Sequence, residues 1–134
     1  MAKKTALICL MKEFAIIFIG GGIGSCLRYA ISAWLNPIST LFAWGTLASN
    51  VFACLILGFL ASLFESKFIE SEQIKFFVMV GICGGFSTFS TFSHELFTYF
   101  QNGRYASFVL YALSSLILCY LGIFLGFALG KVIM

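Results

Sequence analysis

Gly81-Ile82-Cys83-Gly84-Gly85-Phe86-Ser87-Thr88-Phe89-Ser90-Thr91-Phe92-Ser93-His94-Glu95 decides how this chain is read. It lies inside an otherwise apolar block, residues 76–100. Two adjacent glycines and a run of hydroxyls (Ser87, Thr88, Ser90, Thr91, Ser93) form helix poorly. A helix passing through lipid is therefore expected to break here. The break would free backbone amides and carbonyls, which is tolerated only where they are buried or line a cavity. Freed carbonyls can hold a cation, and the N-terminus of the second half-helix favours an anion. The period-three repeat Ser87-Thr88-Phe89 and Ser90-Thr91-Phe92 places both phenylalanines on one helix face and the hydroxyls on neighbouring faces. A lone Ser or Thr would be explained by bonding to the preceding turn. So many together point to something bound or conducted.

The surroundings of this stretch put it in a membrane. Of 134 residues, 61% are hydrophobic and 10% charged, against about 45–50% and about 25% in soluble domains. Mean hydropathy is +1.06. Residues 14–35, 41–64, 76–100 and 105–130 form four apolar blocks, each long enough to cross roughly 30 Å of hydrocarbon as a helix. They cover nearly three quarters of the chain, so one transmembrane domain, 1–134, is expected and no soluble domain remains. This excludes a soluble enzyme, and a net charge of +3 is too small for a nucleic-acid footprint. Connections are short: Asn36-Pro37 is a turn signal, Glu65 to Lys75 is a charged loop, and Gln101-Asn102-Gly103-Arg104 is a tight turn.

The N-terminal run 5–11 is too short for a signal-peptide core and is stopped by Lys12-Glu13. Ile23-Gly24-Ser25-Cys26 resembles a lipoprotein cleavage box, but a cut there would leave three apolar spans, so no cleavage is expected. With an even number of spans, both termini share one side with Lys3, Lys4, Lys12, Lys67, Lys75 and Lys131; Arg28 and Arg104 lie towards the other. That bias favours cytoplasmic termini.

Polar residues inside the spans are costly, so each is a candidate for function. Gly20 and Gly24 make a G-x-x-x-G pair for close helix approach, and Arg28 follows, either snorkelling or attracting anions at an aqueous mouth. Asn50, Cys54, Gly58 and Ser62 form a small-residue stripe, with Thr46 one turn before it. Ser107, Tyr111, Ser115 and Cys119 form a second track, continued by a glycine ridge at 122, 126 and 130. His94 and Glu95, near the end of the third block, read as interfacial and solvated. The five cysteines contain no C-x-x-C pair and read as packing residues.

These motifs together resemble the CrcB/Fluc family of fluoride channels. The resemblance runs through Gly21-Gly22-Ile23-Gly24-Ser25-Cys26-Leu27-Arg28-Tyr29, Gly45-Thr46-Leu47-Ala48-Ser49-Asn50 and Gly84-Gly85 to Glu95, in order along the chain. It implies an all-α membrane protein of four transmembrane helices, the third broken near its middle. It also implies an antiparallel, dual-topology dimer in the bacterial inner membrane with two pores. Phe89 and Phe92 match the pore phenylalanines, and Asn50 the pore asparagine. Thr46, Ser90, Thr91, Tyr111 and Ser115 match hydroxyls along the conduction path, and Arg28 the vestibule arginine. The backbone carbonyls of Gly84 and Ser87, from both subunits, would hold a structural Na+. The function implied is passive export of cytoplasmic fluoride, with no enzymatic activity. Cys119 departs from a hydroxyl position. The Lys/Arg bias sits uneasily with dual topology and leaves pairing with an oppositely oriented homologue as an option. Two other readings stay open: a small four-helix multidrug or cation exporter, and a non-transporting membrane assembly subunit.

Overall fold

A computed structural model describes residues 2–36 and 42–133, and within the first helix the side chains of 2–6 and 9 are not described. Pro37 of the expected turn and Leu41, where the second block was expected to begin, lie outside the described residues. The helices are α1 (Ala2–Leu35), α2 (Trp44–Glu65), α3 (72–86), α4 (Phe89–Gln101) and α5 (Tyr105–Ile133). Together, α3 and α4 make one broken span, so four stretches are long and apolar enough to cross a membrane: Leu10–Leu35, Trp44–Glu65, Glu72–Gln101 and Tyr105–Ile133.

Helix α1 continues through Lys12-Glu13, where the apolar pattern stops. Both residues are good helix formers, so charge ends the lipid-compatible segment without ending the helix. Asn36 caps the next element: its Oδ1 accepts the Gly45 N–H at 3.0 Å, in the first turn of α2. Helix α2 ends in a tight reversal with Lys67 at φ 59°, while the Lys67 and Phe68 amides donate back to Phe64 and Leu63. Ser71 caps α3, which is wound with the wider π spacing over Lys75–Cys83.

The expected break is present. Ser87 (ψ 154°) and Thr88 (φ −153°) are extended, and α4 restarts with Thr88 as its cap, Oγ1 accepting the Thr91 N–H at 3.2 Å.

Glycines decide the packing. Helices α1 and α3 touch backbone to backbone: a Cβ on Gly20 would meet the Phe77 carbonyl, and one on Gly24 the Phe86 nitrogen at 2.8 Å. From the α3 side, Gly85 abuts Gly21. Helix α5 lies along α2 in the same way, with Gly122, Gly126 and Gly130 against Val51, Leu55 and Phe59. Burial is inverted relative to a soluble protein. Thr46, Ser49, Ser62 and Ser115 are buried, while Phe18, Tyr120 and Val132 are among many apolar side chains facing outwards. Lipid is the solvent that such a surface needs.

Candidate functional site

The break in the third span is held from α2. Thr88 N–H donates to Asn50 Oδ1 at 2.7 Å, and Asn50 Nδ2 donates to the Thr88 carbonyl at 3.3 Å. A single amide thus satisfies both backbone groups of one residue, leaving one Nδ2 hydrogen to offer elsewhere. Asn50 was expected to serve the pore directly; its first task is to stabilise the break.

Across the break, helical bonding fails in a defined way. The Thr88 amide is the ordinary helical partner of the Gly84 carbonyl, and it is spent on Asn50. The Gly85 carbonyl receives Arg28 Nε at 3.2 Å and Ser25 Oγ at 3.4 Å. Arg28 is half-buried. It therefore does not snorkel freely; it caps the first half of the broken helix. The Ser87 hydroxyl bonds back to the Cys83 carbonyl at 2.9 Å, the local satisfaction a lone serine ordinarily finds. Thr88 Oγ1 instead joins Thr91 Oγ1 at 3.0 Å and Ser90 Oγ at 3.2 Å, making a hydroxyl cluster at the start of α4.

Asn50, Phe89, Phe92, Ser115, Leu116 and Cys119 line one cavity of about 190 Å³. The structure thereby brings together five of the residues singled out by sequence, all but Leu116. The rings of Phe89 and Phe92 lie 5.8 Å apart. Phe92 is buried, whereas Phe89 is 77% exposed. Ser115 is buried, and its Oγ has no hydrogen-bond partner. A buried hydroxyl left unpaired beside a cavity costs about 1–3 kcal/mol unless something enters to accept it.

Thr46 and Tyr111 lie elsewhere. Thr46 Oγ1 donates to Glu95 Oε1 at 2.6 Å, and Tyr111 OH donates to Glu95 Oε2 at 2.5 Å. Tyr111 is fully buried and Thr46 nearly so, and the Phe92 ring stands 5.3 Å from the Tyr111 ring. The two hydroxyls are therefore committed to a carboxylate rather than free along a path. Glu95 was read as solvated and interfacial; it is half-buried and organises this cluster, while His94 is exposed. The available signal was spacing. Phe92, Glu95 and Tyr99 recur at i, i+3 and i+7, the buried face of α4. Tyr99 extends the cluster to the start of α2 by accepting the Ala43 N–H at 2.9 Å. Ser107, the first member of the expected α5 track, pairs with Arg104 at 3.4 Å and stands apart from the cavity.

Gly84 and Ser87 line a separate cavity of about 130 Å³ with Ala53, Cys54, Leu57, Met79 and Cys83. Nothing stands within 4 Å of a Cβ position on Gly84. A carbonyl that loses its helical donor is the kind of oxygen donor a hard cation prefers.

The chain is similar to known proteins over most of its length. The model of the family described as CrcB-like protein, Camphor Resistance (CrcB) matches residues 15–127. A Phocaeicola vulgatus protein named fluoride-specific ion channel FluC is 40% identical over 117 residues, covering 87% of this chain and 96% of that one. Its namesake in Bacteroides fragilis strain YCH46 is 40% identical over 125 residues (90% and 98%), and that of Elusimicrobium minutum 39% over 127 residues (93% and 98%). The matched region contains both glycine-packed helix pairs, the broken third span and the Asn50 latch. This multi-pass membrane chain belongs to the CrcB-like family.

Proposed function

We propose that this chain is a fluoride-selective channel that lets cytoplasmic fluoride leave passively down its electrochemical gradient, which lowers fluoride toxicity. The observation that carries this reading is the cavity holding the free Asn50 amide hydrogen, the unpaired Ser115 hydroxyl and the Phe89–Phe92 pair. Fluoride is small and strongly hydrated, so a pore must replace its water with compact donors. Neutral hydroxyls and amides do so without a fixed positive charge that would trap the ion. Aromatic edges carry partial positive charge and can face an anion. Ser90 and Thr91, at the start of α4, extend the donor set beyond the cavity. Thr46 and Tyr111 contribute through Glu95, whose carboxylate holds both hydroxyls in the cluster packed against Phe92. Arg28 attracts the anion towards the mouth while holding Gly85.

The working unit is an antiparallel dimer in the bacterial inner membrane. Support comes from what a single copy leaves uncovered: Phe89, Ser90 and Gly84 are exposed beside the break. Bare backbone and hydroxyl groups at that depth need protein, not lipid, against them. A second copy would cover them and bring a second set of Gly84 and Ser87 carbonyls, enough oxygens for a central structural Na+. Bound there, the ion would neutralise converging carbonyl dipoles and hold the two breaks together. An oppositely oriented homologue could replace the second copy.

Fluoride efflux from liposomes containing purified protein, followed with a fluoride electrode, tests the reading. Efflux well above that of empty liposomes, with chloride retained, is expected. No efflux at verified reconstitution would overturn it, and equal chloride efflux would remove the selectivity. Proton-coupled uptake of organic cations instead would favour an exporter.

A further inference from the structure

Helices α1 and α3 meet backbone to backbone as far down as Ile17, whose carbonyl would stand 3.2 Å from a Cβ on Gly81. Towards their N-terminal ends they part, and a cavity of about 430 Å³ opens between residues 12–16 of α1 and the start of α3. Its volume is within the usual range of ligand pockets, about 300–1,000 Å³. The floor is apolar and is made by the half-buried Ile16 and Phe76. The rim carries charge of both signs: Lys12 and Glu13 from α1, and Glu72 from α3, with the Gln73 amide beside them. The two stretches long and apolar enough to cross a membrane begin at Leu10 and Glu72. The cavity therefore stands at the level of phospholipid headgroups, where hydrocarbon gives way to water.

These features select among ligands. A purely anionic headgroup would meet two carboxylates for one ammonium, and a purely cationic amphiphile would meet Lys12. A headgroup with a phosphate and a cation side by side complements both signs. Carboxylates favour a primary ammonium, which donates three hydrogens as a lysine does. A quaternary ammonium donates none and relies on a cage of aromatic rings; Phe76 is the single aromatic residue lining this cavity.

We propose that this cavity binds a zwitterionic phospholipid with a primary ammonium, phosphatidylethanolamine. Lys12 and the Gln73 amide hold the phosphate, Glu72 takes the ammonium, and Ile16 and Phe76 seat the glycerol end, while the acyl chains stay in the bilayer. Held so, the lipid bridges α1 and α3 below their glycine contact and stabilises the folded chain by mass action. The site is independent of what the protein conducts.

The full chain, purified and delipidated in detergent, tests this with three dioleoyl lipids added to the micelles: phosphatidylethanolamine, phosphatidylcholine and phosphatidylglycerol. Native mass spectrometry counts the lipid retained, and thermal unfolding reads the stabilisation. Phosphatidylethanolamine should be retained at the lowest concentration and raise the unfolding midpoint the most. Glu72→Gln should weaken it about fivefold, the upper end for an exposed charge pair, and leave phosphatidylcholine nearly unchanged. Lys12→Gln should weaken both, since both carry the phosphate. Glu70→Gln, in the loop before α3 and outside the cavity, should change neither. Equal retention of the three lipids would overturn the proposal and leave a groove filled by water. Preference for phosphatidylglycerol would overturn it in favour of general attraction to the lysines. An equal effect of Glu70→Gln and Glu72→Gln would also overturn it, since loop charge rather than the cavity would then act. Should a variant fail to fold, the comparison of lipids on the unmodified protein still decides.

Discussion

Asn50 carries two duties in one amide, and its substitution separates them. Asn50→Ala orphans the Thr88 N–H and carbonyl at membrane depth, at about 1–3 kcal/mol for each. Thermal unfolding in detergent should shift down accordingly, and efflux should fall with it. Asn50→Asp keeps an acceptor for the Thr88 N–H and loses both amide hydrogens. It should unfold closer to the unmodified protein than the alanine variant does, yet lose efflux. Efflux at the unmodified rate would dismiss Nδ2 as the ion's contact. Glu95→Ala leaves the Thr46 and Tyr111 hydroxyls without their acceptor. It should destabilise by a similar amount and reduce efflux, and unchanged unfolding would refute the buried cluster. Asn50, Phe89 and Phe92, which meet at one cavity, were legible as candidates because a midspan amide and a paired aromatic repeat stand out in apolar sequence. Glu95 was not, since a carboxylate near the end of a span looks solvated until its partners from α2 and α5 are in place.

Single methyl groups control how the helices meet. Gly24→Ala puts a Cβ against the α3 backbone, which has no side chain that can move aside. Overpacking of this kind costs about 1–3 kcal/mol, so the protein should unfold at lower temperature and reconstitute poorly. Gly22, two residues away, has nothing within 4 Å of its Cβ position. Gly22→Ala should be neutral or stabilising by up to about 1 kcal/mol through helix propensity. Equal effects of the two would dismiss close α1–α3 contact. The G-x-x-x-G pair and the α5 ridge announced tight packing in the sequence, but not the partners. Two glycine patterns on different helices admit several pairings, and only the assembled bundle assigns α1 to α3 and α5 to α2. The π winding of α3 was likewise unreadable, because no residue in 75–83 marks it.

For the molecule as a whole, two features pull orientation in opposite directions. Six lysines on the terminal side against two arginines on the other argue for one insertion, whereas the proposed dimer needs its two copies in opposite orientations. Reporters fused to the C-terminus should give signal on both sides of the membrane if the chain pairs with itself. Signal on one side only would assign the second half of the pore to a homologue.

The sequence by itself determined the solvent, the number of spans and the place of the break. These follow from block length, composition and local propensity, which need no partner to act. It also marked the buried hydroxyls and the amide, because any polar group at that depth is conspicuous. Only the tertiary structure decided what each polar group does. A hydrogen bond depends on position to within a few tenths of an ångström, and those positions are set by helices distant in sequence. Hence Asn50 latches Thr88, Arg28 caps Gly85, Tyr111 and Thr46 turn to Glu95, and Ser115 keeps its hydroxyl for the cavity.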